Sequence, residues 1–221
     1  MDKNIEFNKI LNEKLDLDSE PVAIKFFNNL DEIPDGIEKI PDKKRHCEMV
    51  RDASYGKKFY ASSNEQACKG GSAALGLEDF PEKLKSGETY YKLGRFKDLE
   101  TSKRTVDSLS VIKDKHLGII YAPLKEAEFV PDIIVILTSP VVGMKIAQSI
   151  VYSSGEKVSP SFAGIQSICG DVVSGPYMTG KTNMSLGCSG SRKYADIKDN
   201  ELAIGINYNN LNEIVDNLNV I

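Results

Sequence analysis

The four cysteines are the most reactive side chains of this sequence, and they fall into two widely separated pairs. They are Cys47, Cys68, Cys169 and Cys188, so that about 20 positions separate the members of each pair and about 100 separate the pairs. Four thiolates that converge on one point can hold a 4Fe-4S cluster. No Cys-x-x-Cys motif occurs, so this hypothesis depends on the residues beside each cysteine.

Glycine and cationic side chains stand next to the cysteines in the sequence. Glycine lets backbone N–H groups approach the sulfur atoms of a bulky cluster, and cationic neighbours would offset the negative charge of a cluster with four thiolates. We therefore expect the four cysteines to be metal and cofactor ligands, surrounded by residues that contact the cluster or a small anion. These neighbours are Arg45, Lys69, Gly70, Gly190 and Arg192.

Three other roles for the cysteines stay open at this point. A structural zinc site is one, although such sites usually contain a closely spaced pair of ligands. Buried inert thiols are another, because cysteine is among the most buried residue types. A transient redox disulfide within each sequence pair is the third.

The apolar pattern places these cysteines among alternating helices and strands. The first part of the chain predicts helices over 4–17, 47–54, 67–75 and 99–109 and strands over 22–27 and 89–93. The second part predicts strands over 118–121, 133–138, 161–168, 183–186 and 201–206 and helices over 140–152 and 211–218. The run 133–138 is nearly all apolar and β-branched, which is typical of a strand buried on both faces.

Corresponding features recur along the chain at a similar offset, which indicates an internal duplication. The second pair of cysteines follows the first by about 120 positions, and a strand, glycine, aromatic and helix pattern at Gly94 recurs at Gly205. We predict two α/β repeats, residues 1–112 and 113–221, packed as one globular unit. The predicted fold class is α/β with mixed sheets, flanking helices and a pseudo-two-fold axis at which the cysteines meet.

Residues 175–182 match the phosphate-loop pattern G-x-x-x-x-G-K-S/T. A phosphate loop needs a buried strand before it and a helix after it, because the N–H groups of that helix hold the phosphates. The residues that follow Thr182 are poor helix formers, and Gly180-Lys181 is typical of a turn. Nucleotide hydrolysis is therefore not predicted.

Other titratable residues near the cysteines are assigned to packing and ion pairs. His46 adjoins Cys47, but a single histidine carries little information, and a satisfied or exposed side chain is expected. Adjacent residues seldom aim at one another, so a nucleophilic Cys–His pair is not predicted. The carboxylates Glu48, Asp52 and Asp171 are expected to pair with Arg45, Arg51 or Lys69.

The composition is that of a folded globular protein and excludes several classes. The net charge of -4 argues against a nucleic-acid-binding protein, which usually has a basic surplus. No apolar segment is long enough to span a membrane, and the N-terminus lacks the pattern of a signal peptide. We therefore expect a soluble, cytoplasmic protein with no nucleic-acid or membrane partner.

Several blocks of the sequence resemble one prokaryotic family, common in archaea, called domain of unknown function 169. The blocks are residues 45–47, 67–77, 122–124, 129–132, 169–171 and 185–192. The resemblance spans roughly residues 5–218, and the blocks around the cysteines are its most specific part. It implies that the four cysteines belong to the family pattern, which strengthens the cluster hypothesis, but it implies no established activity.

The leading functional hypothesis is an iron–sulfur protein with one 4Fe-4S cluster between the repeats. Its role would be electron transfer or sulfur or iron handling, with a redox protein as the partner. The alternative is an enzyme or binding module for a small anionic ligand at Gly70, Gly190 and Arg192, with structural or redox-active cysteines. A structural protein with inert thiols is the third hypothesis, and a homodimer is compatible with all three.

Overall fold

A computed structural model describes residues 2–221 of the chain. Its strands are β1 Val22–Phe27, β2 Phe59–Ser62, β3 Gly118–Pro123, β4 Ile133–Thr138, β5 Asn183–Ser185 and β6 Leu202–Asn207. Its α-helices are α1 Asp2–Leu15, α2 His46–Ser54, α3 Lys69–Ala74, α4 Glu82–Lys85, α5 Glu88–Lys92, α6 Leu99–Asp107, α7 Pro140–Ser154, α8 Gly175–Thr179, α9 Ser189–Tyr194 and α10 Leu211–Val220. A π-helix, Ser167–Ser174, precedes α8.

The six strands form one sheet in the order β2-β3-β1-β4-β6-β5, and every neighbouring pair is antiparallel. The α/β class is confirmed, whereas the mixed sheets are wrong, because no parallel pair occurs among these strands. Strand β3, which was predicted to belong to the second repeat, lies between β1 and β2 of the first. The internal duplication and its boundary at residue 112 stay predictions.

Helices cover both faces of the sheet because its central strands are apolar on both faces. Along β4 every residue is buried, and successive side chains alternate between two cores. Val135 faces the core that α2 and the π-helix complete, whereas Ile134 and Ile136 face the core that α1, α7 and α10 complete. The prediction of a strand buried on both faces is therefore confirmed at 133–138.

Helix α7 begins at the predicted residue, Pro140, and ends at Ser154, two residues beyond the predicted end. Ser139 caps it by accepting a hydrogen bond from the Val142 N–H at 3.5 Å, and Pro140 occupies the first turn, where no partner for its nitrogen is needed. Gly155 ends the helix with φ +67°, a conformation that glycine adopts without strain. The chain then enters a loop, residues 155–164, that leads toward the π-helix.

Two predicted strands are wrong. Residues 89–93 lie mostly in the short helix α5, one of three helices at 82–107 that pack together outside the sheet. Gly94 therefore follows a helix, whereas Gly205 lies inside β6, so the matching pattern at these two glycines does not hold. Residues 161–168 form no strand, because Gly164 (φ +69°) and Gln166 (φ +50°) both turn the chain into the left-handed region.

The π-helix packs directly on β6 at Gly205. A Cβ atom at this position would lie 1.7 Å from the backbone carbonyl oxygen of Val172, which no side chain could accommodate. The close approach brings the π-helix, and Cys169 within it, down onto the sheet. Helices of the π type are rare in proteins, and those that occur are often found at functional sites.

Among the described residues, 2–221, no helix is both long and apolar enough to cross a membrane.

Candidate functional site

Each cysteine lies at a defined point of a short element on one side of the sheet. Cys47 is the second residue of α2, and Cys169 is the third residue of the π-helix. Cys68 and Cys188 occupy the N-cap positions of α3 and α9. Both Cys47 and Cys169 pack against the same hydrophobic core, and all four thiols are free and half-buried.

Cys68 and Cys188 cap their helices in the same way. The Cys68 sulfur accepts a hydrogen bond from the Gly71 N–H at 3.4 Å, and the Cys188 sulfur accepts one from the Ser191 N–H at 3.4 Å. A sulfur atom in this role replaces the oxygen of a serine or aspartate cap. Each of the two thiols is therefore directed toward N–H groups of its own helix.

The four thiols are close enough to influence one another, and the strongest influences join the two halves of the chain. Among charged neighbours, Cys188 raises the pKa of Cys47 most, and Cys68 raises that of Cys169 most. The packing of the elements agrees, since α2 contacts α9 and α3 contacts the π-helix. These contacts bring Cys47 toward Cys188 and Cys68 toward Cys169, and the sequence neighbours Cys68 and Cys188 also raise the pKa of Cys47 and Cys169, respectively.

Gly71 leaves open the space between Cys68 and Cys169. A Cβ atom at residue 71 would lie 3.6 Å from the Cys169 sulfur and 3.7 Å from the Cβ atoms of both cysteines. Any larger residue at this position would therefore put a side chain between the two thiols. Neither a positive φ nor a close contact prevents a side chain at residue 71.

The expected iron–sulfur cluster is wrong. Among residues 2–221 no group of three or more histidine, cysteine, aspartate or glutamate side chains is placed to hold a metal ion. The Cys68 and Cys188 thiols are directed instead toward N–H groups of their own helices, whose N-termini they cap. The same finding disfavours the zinc alternative.

The pKa values of the thiols are shifted in different directions within this site. Burial, with the neighbouring Cys188 and Cys68 next, raises the pKa of Cys47 to about 12. Burial, followed by the other three thiols, raises the pKa of Cys169 well above its ordinary value. Cys188 is the exception, because its pKa is lowered even though burial alone would raise it.

Two serines lower the pKa of Cys188. The hydroxyl and backbone groups of Ser167 and Ser191 form hydrogen bonds to the thiolate that outweigh its burial. Both serines are fully buried, their hydroxyl oxygens lie 3.3 Å apart, and Ser191 also accepts a hydrogen bond from the Cys188 N–H at 2.9 Å. The site therefore favours the thiolate of Cys188 more than an ordinary environment would, and the thiolate is the reactive form of cysteine.

A tyrosine and a glutamine lie against the thiols from the side of the α4–α6 helices. The Gln166 amide nitrogen donates to the Tyr90 hydroxyl at 2.8 Å. Burial first, and then the nearby Cys169, Cys68 and Cys188, raise the pKa of Tyr90, so its hydroxyl keeps its proton. Gly70 makes room for this pair, since a Cβ there would lie 3.1 Å from the amide nitrogen and 3.3 Å from the hydroxyl.

His46 is buried beneath the site as a neutral side chain. Its Nδ1 lies 2.8 Å from the hydroxyl of Tyr121, which is also fully buried, and burial lowers the pKa of His46 to about 3. Its Nε2 has no hydrogen-bond partner within residues 2–221. The expectation of a satisfied histidine is confirmed at Nδ1, and this histidine is too weak a base to accept a proton at neutral pH.

Asp171 does not form the ion pair that the sequence predicts. Its carboxylate accepts a hydrogen bond from the Ser185 hydroxyl at 2.8 Å, and no ion pair of residues 2–221 includes it. Burial raises the pKa of Asp171 to about 7, and the bond from Ser185 only partly opposes this. The carboxyl group, two residues after Cys169, thus changes its charge near neutral pH.

A buried ion pair holds α2 against the segment that follows α9. The Arg51 guanidinium contacts the Glu201 carboxylate at 2.5 and 3.3 Å and donates to the carbonyl oxygens of Ala195 and Asp196 at 3.1 and 2.8 Å. Arg51 lies on α2 with Cys47, whereas Ala195 directly follows the helix that Cys188 caps. This network therefore fixes the two cysteines relative to each other.

The cationic residues expected to face an anion have other partners. Arg192 donates to four carbonyl oxygens of the surrounding loops, and so holds the turn around Cys188. Arg45 stacks over the Tyr194 ring at 3.5 Å and pairs with Glu48, and Lys69 pairs with Glu78. Gly190 approaches only Cys188, at 3.7 Å for an added Cβ. An anion contact by these residues stays a prediction.

The sequence pattern did not indicate the residues that surround the thiols and shift the pKa of Cys188. Ser167, Ser191, Tyr90 and Gln166 were not selected, because serine, tyrosine and glutamine are common and none stands in a motif. One signal was present: Cys188 and Ser191 have the N-cap and N3 spacing of a helix cap, with cysteine in the place of the usual oxygen-bearing residue. The contact of Tyr90 with the thiols joins residues far apart in the chain and has no local signal.

The resemblance seen in the sequence is confirmed by comparison with known proteins. The model of the family domain of unknown function 169, described as "Uncharacterised ArCR", matches residues 10–217. An uncharacterized protein of Methanocaldococcus jannaschii is 41% identical over 210 residues, which cover 94% of this chain and 90% of that protein. No solved structure matches the chain.

Proposed function

The chain belongs to the domain of unknown function 169 family, and from its cysteine site we propose that it is a thiol–disulfide redox protein. Its substrate would be the disulfide of a partner protein or a small molecule, which the dithiol reduces by two electrons. The observation that carries this proposal is the contact of α2 with α9, which brings Cys47, a thiol with a raised pKa, toward Cys188, a thiol with a lowered pKa.

In the first step Cys188 attacks the substrate. The thiolate sulfur of Cys188 forms a bond to one sulfur of the substrate disulfide, the substrate S–S bond breaks, and the other substrate sulfur leaves as a thiolate that takes a proton from solvent. Ser167 and Ser191 support this step because they stabilise the thiolate before the attack. A lower pKa also lowers the nucleophilicity of the sulfur, but it increases the fraction of Cys188 that is present as the attacking thiolate.

In the second step Cys47 resolves the mixed disulfide. The Cys47 thiol gives its proton to solvent, its sulfur bonds to the Cys188 sulfur, and the remaining half of the substrate leaves as a thiol. The products are two substrate thiols and one Cys47–Cys188 disulfide, so two electrons pass from protein to substrate. The loss of the negative charge on Cys188 in the first step removes one of the causes that raise the pKa of Cys47.

The second dithiol, Cys68 and Cys169, gives the site a further two-electron capacity. Exchange with the Cys47–Cys188 disulfide would move the oxidised bond to Cys68–Cys169 and restore the first dithiol, with no net change in oxidation state. The open space beside Gly71 and the mutual influence of all four thiols support this exchange.

The reaction of the reduced protein with 5,5′-dithiobis(2-nitrobenzoate) at pH 6.5 tests the proposal. We expect one fast thiol, identified as Cys188 by mass spectrometry, and loss of this phase in Cys188→Ser. In Cys47→Ser the first step still occurs, but the nitrobenzoate adduct remains on Cys188 because no thiol resolves it.

The matched control is Cys169→Ser, which removes another half-buried thiol but leaves the Cys47–Cys188 dithiol intact. It should retain the fast phase and release the second equivalent of thionitrobenzoate. If the fast phase survives in Cys188→Ser, or if all four cysteines react at the rate of unfolded thiols, the proposed role of Cys188 is wrong.

A further inference from the structure

The Tyr90–Gln166 pair beside the thiols takes no part in the two steps proposed above. Tyr90 is a half-buried residue of α5, whereas Gln166 is 6% exposed and directly precedes the π-helix that carries Cys169. The two residues are 76 positions apart in the sequence and are joined by the hydrogen bond from the Gln166 Nε2 to the Tyr90 hydroxyl. The fold therefore brings this pair to the thiol site from two distant segments.

Packing and backbone hydrogen bonds fix the position of Gln166. Its side chain packs against two glycines that stand one or two residues after a cysteine. A Cβ at Gly70 would lie 3.1 Å from the Gln166 Nε2, and a Cβ at Gly170 would lie 3.4 Å from the Gln166 Cβ. The Gln166 carbonyl oxygen also accepts hydrogen bonds from the N–H groups of Gly170 and Asp171, at 2.8 and 3.2 Å. The amide is therefore held in one place within the site.

Two unfavourable features of Gln166 indicate that it has more than a packing role. Its backbone has φ +50°, a left-handed conformation that residues other than glycine rarely adopt and that is concentrated at functional sites. Its buried Oε1 has no hydrogen-bond partner within residues 2–221, although buried polar atoms in folded proteins are nearly always paired. The contact that accompanies both costs is the hydrogen bond to Tyr90.

The hydrogen bond from Gln166 determines where the Tyr90 hydroxyl can donate. Because the hydroxyl oxygen accepts the amide proton, its own proton points away from Gln166, and no group of residues 2–221 accepts it. The ionisable groups that act on the hydroxyl are thiols, since its pKa is raised by burial first and then by Cys169, Cys68 and Cys188. The Tyr90 hydroxyl is thus a free, protonated donor beside the thiols.

We propose that the Tyr90 hydroxyl donates a hydrogen bond to the sulfur that leaves the substrate disulfide, and that Gln166 positions this hydroxyl. The proposal rests on the thiol–disulfide reaction described above. Within residues 2–221 no hydrogen bond joins Tyr90 to a thiol, so the Cys188 thiolate is stabilised by its serines and not by Tyr90. When Cys188 attacks, the electron pair of the substrate S–S bond passes to the far sulfur, where negative charge develops and a hydrogen bond becomes stronger. Tyr90 keeps its proton, and the departing thiolate takes one from solvent.

This hydrogen bond favours one class of substrate, the aliphatic disulfides. The negative charge of an alkyl thiolate is concentrated on its sulfur, and such a thiolate leaves slowly because its thiol is a weak acid. An aromatic thiolate such as thionitrobenzoate spreads the charge over its ring and leaves readily without a hydrogen bond. We therefore expect Tyr90 to accelerate the reaction with an aliphatic disulfide and to have little effect on an aromatic one.

The rates at which Cys188 of the reduced full chain reacts with two disulfides at pH 6.5 test this inference. The aliphatic probe is bis(2-hydroxyethyl) disulfide and the aromatic probe is 5,5′-dithiobis(2-nitrobenzoate), with the modified cysteine identified by quenched alkylation and mass spectrometry. In Tyr90→Phe we expect the rate with the aliphatic probe to fall about tenfold, as for loss of one hydrogen bond to a charged group, while the rate with the aromatic probe stays nearly unchanged. Gln166→Met removes the positioning amide and should lower the ratio of the two rates by a smaller factor.

The control variant is Tyr91→Phe, which removes an exposed hydroxyl from the same helix and should leave both rates at their wild-type values. The ratio of the rates separates the proposed role from a structural one, because a disturbed site slows both reactions alike. A wild-type ratio in Tyr90→Phe would overturn the inference, even where Cys188 reacts fast with the aromatic probe as the redox function requires. A slow reaction of wild-type Cys188 with the aromatic probe would instead contradict the redox function itself.

Discussion

At the scale of single residues, the site differentiates four chemically identical side chains by their hydrogen bonds and burial. Cys188 receives hydrogen bonds from Ser167 and Ser191 that favour its thiolate, whereas Cys47 and Cys169 are mainly desolvated and keep their protons. A nucleophile beside protonated thiols is the arrangement that directional thiol–disulfide exchange requires. Because burial opposes ionisation at Cys47, Cys169 and Cys188 alike, the two serines distinguish Cys188 from the other two.

Asp171 gives a test of the site's electrostatics through stability. Its pKa of about 7 in the folded protein is above that of an unfolded aspartate, about 3.9. The folded state therefore binds more protons between these two values, and the contribution of Asp171 to stability falls as the pH rises from about 4 to 7. Above pH 7 the cost of the buried carboxylate is fully present.

We expect Asp171→Asn to become more stable relative to the wild type as the pH rises from 5 to 8. Asparagine keeps an oxygen that accepts the Ser185 hydrogen bond but carries no charge at any pH. Urea unfolding at pH 5, 6, 7 and 8 measures the difference in the free energy of unfolding. Ser185→Ala is the companion variant and should not remove the pH dependence. A difference between Asp171→Asn and the wild type that is constant with pH would mean that Asp171 is ionised throughout.

At the scale of elements, short helices and the π-helix bring the cysteines to the site. Helices α3 and α9 have only six residues each, and their N-caps are the cysteines themselves. The buried Arg51–Glu201 pair sets α2 against the segment after α9, and Gly205 lets the π-helix rest on β6. The thiols are thus positioned by contacts between elements and not by a local cysteine motif.

Gly71→Ala tests the spacing of the Cys68–Cys169 pair. The backbone of residue 71 is helical and an added Cβ makes only ordinary contacts, so the variant should fold and gain up to about 1 kcal/mol from helix propensity. The methyl group would, however, stand between the two thiols. We expect formation of the Cys68–Cys169 disulfide to slow about tenfold or more, because small displacements of reacting atoms cost large factors in rate.

Gly190→Ala is the matched control, since its added Cβ approaches only the Cys188 sulfur, at 3.7 Å. It should gain similar helix stability without slowing the Cys68–Cys169 reaction. Quenched alkylation followed by peptide mass spectrometry gives both rates. Equal rates in Gly71→Ala and the wild type would show that the two thiols do not react across this space.

The sequence predicts those elements whose pattern is set locally. Strand β4 has a continuous apolar run, and α7 has serine, proline and glycine at its ends, so both were found near their observed bounds. Residues 89–93 and 161–168 were assigned to strands because their apolar residues suit either structure. The first segment is helical because it packs with two other short helices. The second segment is not a strand because two of its residues have a left-handed backbone conformation.

At the scale of the whole molecule, one antiparallel sheet joins the two parts of the chain that carry the cysteines. Strands β1 and β4 are neighbours at its centre, with Ile24 opposite Ile133, and the elements that hold the four thiols lie on the same face. The sequence located the cysteines but not their partners, because a pairing across about 100 residues depends on this sheet. Antiparallel order, which no local pattern encodes, therefore determines which thiols meet.

The central claim is that the thiols pair across the molecule, as Cys47–Cys188 and Cys68–Cys169. The most direct test is mass spectrometric mapping of disulfides after the reduced, folded protein is oxidised with a small excess of oxidised glutathione. We predict cross-linked peptides that contain Cys47 with Cys188 first and Cys68 with Cys169 later. Disulfides confined to the sequence neighbours Cys47–Cys68 and Cys169–Cys188, or no intramolecular disulfide at all, would contradict it.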